Sequence, residues 1–269
     1  MIRGAVLGFP VSHSLSPVLH NAAFEYLGIE GRYEAIEVPS GKLEHFMRES
    51  SQNFDYLSLT MPLKEEVLGL GYASDPLVQR IQSANTLISR SNEWSLSSTD
   101  GSGFIAALRN SSLSRTQSVL ILGAGGTARA IAGALDSIAE VVTVLGRSSS
   151  RREALESSMI QSKFEYLPWT TEIDFSSYDL VVNTTPSGAA DLLSESVRKN
   201  VSAMLFDVIY NPWPTALAQR WSDCGGQVIG GMELLLYQGV DQLAAALNTQ
   251  FDREALAAHL RLKLTKAIK

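Results

Sequence analysis

With 269 residues the chain is long for one compact core and comfortable for two domains of ordinary size, and its 45% hydrophobic and 19% charged content excludes a disordered chain. A formal net charge of −6 without a basic cluster excludes sequence-wide attraction to nucleic acid or an anionic membrane, so neither is an expected partner. One cysteine, Cys224, excludes an internal disulfide and reads as a structural thiol beside Gly225 and Gly226; no Cys/His cluster has metal-ligand spacing, so no metal is expected, and a reducing cytoplasm is the expected location.

In chain order, the opening segment is too short and glycine-punctuated for a signal peptide. Residues 2–8 read as a buried strand closed by Gly8-Phe9-Pro10. Residues 17–28 carry Val18, Leu19, Ala22, Ala23, Tyr26 and Leu27 at helical spacing and stop at Gly28. A strand over 33–38, a helix over 41–50, a strand over 56–60 closed by Pro62 and a short helix from about Lys64 follow. Residues 84–89 and 93–97 pattern as an antiparallel hairpin across Ser91-Asn92. These elements make one α/β unit over residues 1–100.

The texture then changes. Ser118–Leu122 is a continuous apolar run of the kind buried in a parallel sheet, followed by Gly123-Ala124-Gly125-Gly126-Thr127-Ala128 and an apolar helix to about Asp136. Strands are expected at Val141–Leu145, 179–183 and 204–208, with helical stretches between them. That alternation implies a doubly wound, Rossmann-like parallel sheet. Residues 232–247 and 252–267 are helical and, by fold analogy, return to the first domain. The expected domains are therefore 1–100 completed by 232–269, and 101–231. No run of about 18 apolar residues is present, which argues against a transmembrane helix.

The Gly123-x-Gly125-x-x-Ala128 pattern lies where a dinucleotide site needs it, after a buried strand and opening a helix. Its glycines let the backbone approach a pyrophosphate, and the helix N-terminus offers unpaired N–H groups and partial positive charge. A glycine-rich packing turn is the alternative. An NAD site usually has an acidic residue after the second strand. Here Val144-Leu145-Gly146-Arg147-Ser148-Ser149-Ser150-Arg151-Arg152 has arginines and hydroxyls, which suit a 2′-phosphate and hence NADP. Of these Arg147, directly after the strand, stands out most clearly from ordinary surface charge.

Residues 8–21, Gly-Phe-Pro-Val-Ser-His-Ser14-Leu-Ser16-Pro-Val-Leu-His-Asn, resemble the opening signature of the shikimate dehydrogenase family. Further blocks follow in order: Leu59-Thr60-Met61-Pro62-Leu63-Lys64, Ser83-Ala84-Asn85-Thr86, Thr99-Asp100-Gly101, the glycine turn, Asn183-Thr184-Thr185-Pro186-Ser187-Gly188, Asp207-Val208-Ile209-Tyr210-Asn211-Pro212, and Gly230-Gly231 with Gln238. The resemblance implies reversible NADPH-dependent reduction of 3-dehydroshikimate to shikimate, with Lys64 and Asp100 as the catalytic pair. It implies that Ser14 and Ser16 bind the ring carboxylate, that Thr60, Asn85 and Gln238 hydrogen-bond the ring hydroxyls, and that Tyr210 belongs to the substrate site. It implies that Gly123, Ala124, Gly125, Gly126, Arg147, Ser148 and Arg151 hold the cofactor, with Thr185 and Ser187 beside it and Gly231 near the nicotinamide. A small-molecule substrate and a monomer or homodimer are the expected partners.

The residue chemistry agrees but leaves alternatives. Ser16 at a helix start can cap the helix instead of binding an anion. Lys64 can be a solvated lysine, and Asp100 the N-cap of a helix from about Gly103. His13 and His20 invite a histidine-base mechanism, although His13 reads as a loop residue and His20 as part of the first helix. Three positions depart from the family pattern, where asparagine is often found: Ser58 and Ser98 in the substrate half, which implies shifted ring contacts, and Gly146 at the cofactor loop, which implies a looser adenosine contact. The competing readings are a quinate-active, NAD-using relative and a dinucleotide-binding sensor without chemistry.

Overall fold

The computed structural model describes residues 1–111, 113, 116–247 and 249–267. They divide into two compact units, Met1–Gly103 with Leu235–Lys269, and Phe104–Leu234. Among the described residues no helix is long and apolar enough to cross a membrane.

The first unit is built on a six-stranded mixed sheet. In chain order it contains β1 (Ile2–Gly8), α1 (Ser16–Leu27), β2 (Gly31–Glu37), α2 (Leu43–Ser50), β3 (Tyr56–Leu59), α3 (Leu63–Glu66), β4 (Ala73–Ser74), α4 (Pro76–Ile81), β5 (Thr86–Arg90), β6 (Glu93–Ser97) and the start of α5 (Asp100–Arg109). The sheet order is β2-β1-β3-β5-β6-β4. β1 runs parallel to β2 and β3, which is why Ala5, Val6 and Leu7 are all buried rather than alternating. β5 reverses against both β3 and β6. The hairpin turns at Ser91 and Asn92, both with positive φ, as a two-residue turn matching the strand twist requires. Leu43 and Met47 of α2, Leu63 and Val78 pack with Ala5, Leu7, Leu57, Leu87 and Leu96 in one core.

Helix α1 ends where expected, at Gly28 with φ 65°, the left-handed C-cap glycine accepts cheaply. Strand β4 and helix α4 are not anticipated from the pattern. The helix nevertheless carries its own start signal: Asp75 accepts from Val78 N–H at 2.7 Å, and Pro76 takes the first helical position. At the other end of the chain, α9 (Gly231–Leu247) and α10 (Arg253–Ala267) follow the second unit's strands. α10 lies against α1, with Tyr26 and His259 rings 4.7 Å apart.

The second unit contains β7 (Ser118–Leu122), α6 (Gly126–Leu135), β8 (Val141–Gly146), α7 (Arg152–Glu156), β9 (Lys163–Pro168), β10 (Leu180–Asn183), β11 (Met204–Asp207), α8 (Ala216–Asp223) and β12 (Val228–Gly230). All six strands are parallel in the order β12-β11-β10-β7-β8-β9, the doubly wound arrangement whose switch point lies between β7 and β10. The α/β class with a Rossmann-like second half is thus the observed one. Its crossovers are leaner than the expected strand–helix alternation: only short 3-10 turns, Phe175–Ser177 and Asp191–Ser196, lie in the segments between β9 and β10 and between β10 and β11. Trp221 anchors one side of the core against Phe175 at 4.9 Å, and Cys224 is buried with them, its Sγ 3.6 Å from the Val197 carbonyl. Cys224 thus packs as a small hydrophobe, the structural thiol expected.

Candidate active site

In the first unit, four of the singled-out residues meet in one hydrogen-bonded cluster. Lys64, in the first turn of α3, donates from Nζ to Asp100 Oδ2 at 2.5 Å. Asp100 opens α5, and its Oδ1 accepts from Asn85 Nδ2 at 2.8 Å. Asn85 Nδ2 also lies 3.2 Å from Gln238 Oε1 on α9. Asn85 itself is pinned: its Oδ1 accepts from the Thr99 N–H at 2.8 Å and from the Thr86 hydroxyl at 2.9 Å. Both oxygens of the Asp100 carboxylate are therefore matched by donors while the lysine end stays more open, the side chains being 5% and 18% exposed. An ammonium held by a carboxylate at the rim of a polar cluster can give a proton to an oxygen that is gaining negative charge.

Close backbone approaches make this cluster possible. A Cβ on Gly103 would sit 2.5 Å from the Gln238 backbone nitrogen, so glycine lets α5 and α9 touch where Gln238 enters. A Cβ on Gly8 would sit 2.3 Å from Thr60 Cγ2, so glycine also sets half-buried Thr60 beside the end of β1.

The serine alternatives separate. Leu15, not Ser16, occupies the N-cap of α1, and no side chain caps that helix. Ser16 is buried, and its N–H donates to Ser14 Oγ at 3.2 Å. Asp100 likewise is no cap of a helix from Gly103: the helix begins at Asp100, and its carboxylate faces Lys64 and Asn85. His20 is fully buried, stacked on Tyr33 at 4.0 Å and bonded through Nδ1 to the Tyr56 hydroxyl at 2.8 Å. Burial pushes its pKa down to about 3, so it stays a neutral core group. His13 is exposed in the loop.

Ser58 and Ser98 differ from one another. The Ser58 hydroxyl accepts from Tyr33 at 2.6 Å and donates to Gln242 Oε1 at 2.8 Å, so it is engaged within the protein. Ser98 Oγ is buried without a hydrogen-bond partner among the described residues. Gln242 Nε2 reaches Thr86 Oγ1 at 3.0 Å and the Asn85 carbonyl at 3.3 Å, which ties α9 to the loop carrying Asn85. Gln242 escapes the motif reading, yet its spacing of four residues from Gln238 puts the two amides on one helix face.

In the second unit the glycine turn follows β7 at the switch point. Gly123 has φ 102°, and a Cβ there would meet Thr184 Oγ1 at 2.7 Å. A Cβ on Gly125 would meet nothing within 4 Å, and Gly125 opens α6 with no side-chain cap. An open, uncapped start of a ten-residue helix on a glycine turn fits a pyrophosphate. Arg147 is exposed directly after β8. Ser148 accepts from the Ser150 N–H at 3.3 Å, and Arg151 donates to the Ala124 carbonyl at 3.4 Å, linking the two loops. Arg152 pairs with Glu156 along α7 instead. Together these groups fit a phosphorylated dinucleotide, with no acidic residue between Gly146 and Arg152 to repel it.

Past β10, Thr185 is buried and donates to Asn183 Oδ1 at 2.7 Å, while Ser187 is exposed. A Cβ on Gly231 would lie 2.0 Å from the Val208 carbonyl, so only glycine passes there; Tyr210 is half-buried after β11 in the same unit. Asp207 is an unanticipated buried carboxylate. Burial raises its pKa despite bonds from Thr215 at 2.7 Å, Ile209 N–H at 3.1 Å and Asn183 at 3.1 Å, and it braces the ends of β10 and β11.

Comparison with known proteins points one way. Residues 6–87 match the shikimate dehydrogenase substrate binding domain. The shikimate dehydrogenase (NADP(+)) of Prochlorococcus marinus strain MIT 9301 is 33% identical over 261 residues, covering 91% of each chain. The crystal structure of Mycobacterium tuberculosis shikimate dehydrogenase superposes with a TM-score of 0.87 at 29% identity, covering 97% of this chain and all of that one. The Thermus thermophilus shikimate 5-dehydrogenase, solved with NADP(H) and shikimate, gives a TM-score of 0.82 at 31% identity over 98% of this chain and all of that one. With one-third identity sustained over nearly the whole length and the same fold throughout, this chain belongs to the shikimate dehydrogenase family.

Proposed function

We propose that the protein is an NADP-dependent shikimate dehydrogenase that reversibly reduces 3-dehydroshikimate to shikimate. The observation that carries this reading is the Lys64–Asp100 pair, oriented by Asn85, in the unit whose residues 6–87 match the family's substrate binding domain. Relatives named as NADP(+) shikimate dehydrogenases, and a Thermus homologue holding NADP(H) and shikimate, support the choice of substrates.

Residues 1–100 completed by 232–269 act as the substrate-binding catalytic domain, and 101–231 as the cofactor domain. Bound NADP(H) supplies or accepts the hydride. Lys64 Nζ gives its proton to the ketone oxygen as that oxygen gains charge, and takes one back from the hydroxyl in the reverse direction. Asp100 holds the ammonium in place and accepts from the reacting hydroxyl. Asn85 and Gln238, with Thr60, hold ring hydroxyls, and Tyr210 is a further substrate-binding residue. Gly123, Ala124, Gly125, Gly126, Arg147, Ser148 and Arg151 hold the cofactor, with Thr185 and Ser187 beside it and Gly231 near the nicotinamide. The one cysteine is buried as a free thiol, which suits a reducing cytoplasm.

Shikimate or quinate crossed with NADP⁺ or NAD⁺, followed by the absorbance of reduced nicotinamide, tests the reading. Shikimate with NADP⁺ is expected to give the highest kcat/KM. Better turnover of quinate with NAD⁺ would overturn it, and no turnover of any pair would favour the sensor.

Ser14 and Ser16 serve the ring carboxylate in this reading. Changing both to alanine is expected to weaken shikimate binding by about 1.5–3 kcal/mol, the scale of a hydrogen bond to a charged group, and to leave NADPH binding alone. Titration of each ligand checks this. Because Ser16 does not cap α1, its single alanine variant should melt like the parent. Normal shikimate affinity with a lowered Tm would assign the serines to the helix instead.

A further inference from the structure

The gap left by the missing side chain at residue 146 is filled. A Cβ on Gly146 would lie 2.0 Å from the Tyr166 hydroxyl and 2.6 Å from Tyr166 Cζ. Tyr166 stands on β9, the edge strand paired with β8, and its ring leans over Gly146 so that the hydroxyl donates to the Ser148 carbonyl at 2.6 Å. That carbonyl belongs to the loop that presents Arg147, Ser148 and Arg151, and Arg151 in turn reaches the Ala124 carbonyl of the glycine turn. Gly146 shows no left-handed backbone, so a side chain there would meet the Tyr166 ring and displace it rather than strain the main chain. The tyrosine and the glycine therefore form one device: the phenol takes the volume a side chain at 146 would occupy and fixes the loop after β8 from outside.

We propose that Tyr166 is a positioning residue for the 2′-phosphate of NADP, holding the Arg147–Arg151 loop through the Ser148 carbonyl in place of a side chain at 146. This inference rests on the NADP reading above. NAD lacks the 2′-phosphate, so loosening this loop acts mainly on NADP and weakens NAD far less, only through the Arg151 link to the glycine turn. A merely structural tyrosine would weaken both cofactors alike or change only the melting temperature.

Calorimetric titration of NADP⁺ and NAD⁺, without substrate, tests the proposal. Tyr166→Phe is expected to raise the Kd for NADP⁺ about three- to tenfold, the size of one neutral hydrogen bond, with a much smaller change in the Kd for NAD⁺. Gly146→Ala should give a similar selective loss by evicting the hydroxyl. In a Tyr166→Ala background the same Gly146→Ala change should add nothing, because the clash is gone. Equal weakening of both cofactors, an additive double variant, or a Tyr166→Phe protein with full NADP⁺ preference would overturn the inference. The parent protein separates the two levels. If it shows no preference for NADP⁺ over NAD⁺, the cofactor reading fails and this inference with it; if it prefers NADP⁺ and Tyr166→Phe keeps that preference, only the inference fails.

Discussion

Replacing Lys64 with alanine is expected to lower kcat by about 10²–10⁴-fold, the usual contribution of a positioned acid–base group, with a smaller effect on KM and none on NADPH affinity. The ketone oxygen needs a proton donor only as it gains charge, so the contribution belongs to the transition state more than to the bound substrate. Asp100→Asn should do similar damage. The geometry says why: one carboxylate oxygen receives the Lys64 Nζ at 2.5 Å and the other the Asn85 amide at 2.8 Å, so the direction of Lys64 depends on Asp100. Groups acting as a unit are non-additive, and the double variant should be little worse than the worse single. Removing Lys64 also leaves the 5%-exposed Asp100 carboxylate without its cation, a loss that costs about 3–5 kcal/mol when a buried pair is broken and less at the partly open rim of this cluster. Circular dichroism and melting curves on all four proteins separate that effect from chemistry. Fully additive losses in kcat would mean two independent roles. Near-normal kcat in Lys64→Ala would remove Lys64 from the reaction and revive the sensor reading.

What the sequence makes legible is local. β7 and its glycine turn are read correctly because a continuous apolar run, two glycines and an apolar helix are a short-range pattern. The Ser91-Asn92 hairpin is readable for the same reason. Helix α4 is missed despite Asp75 and Pro76, since six residues carry too little periodicity to stand out. Ser16 leaves capping open beside anion binding in sequence, and backbone geometry decides against capping. The Lys64, Asn85, Asp100 and Gln238 set enters through family resemblance alone; composition and spacing give no sign that residues as far apart as 85 and 238 share a hydrogen bond. The network through Ser58 is more distant still, joining residues 184 apart through buried hydroxyl and amide groups that look like ordinary polar positions in the chain. Gly146 reads as a loss in sequence because the group that replaces its side chain comes from a neighbouring strand.

Arg147→Ala is expected to weaken NADP(H) binding by about 1.5–3 kcal/mol, roughly ten- to a hundredfold in Kd, while NAD binding hardly changes. The argument is one of charge placement. Arg147 is exposed directly after β8 and forms no ion pair among the described residues, so its guanidinium is not already spent on a carboxylate. In an NAD site an acidic side chain near this point accepts from the ribose 2′-hydroxyl; here residues 147–152 hold three arginines and three serines and no acid. The three arginines are not equivalent. Arg152 lies along α7 beside Glu156, so Arg152→Ala should leave both cofactors nearly unaffected and serves as the control for a general loss of positive charge. Arg151 is directed to the Ala124 carbonyl of the glycine turn, so its removal should hurt both cofactors somewhat, through the pyrophosphate loop as well as the 2′-phosphate. Fluorescence or calorimetric titration of each variant with NADP⁺ and NAD⁺ reads the difference directly, and raised salt should shrink the NADP advantage of the parent because an exposed charge pair is screened. Equal losses for the two cofactors in Arg147→Ala would refute the assignment of Arg147 to the 2′-phosphate.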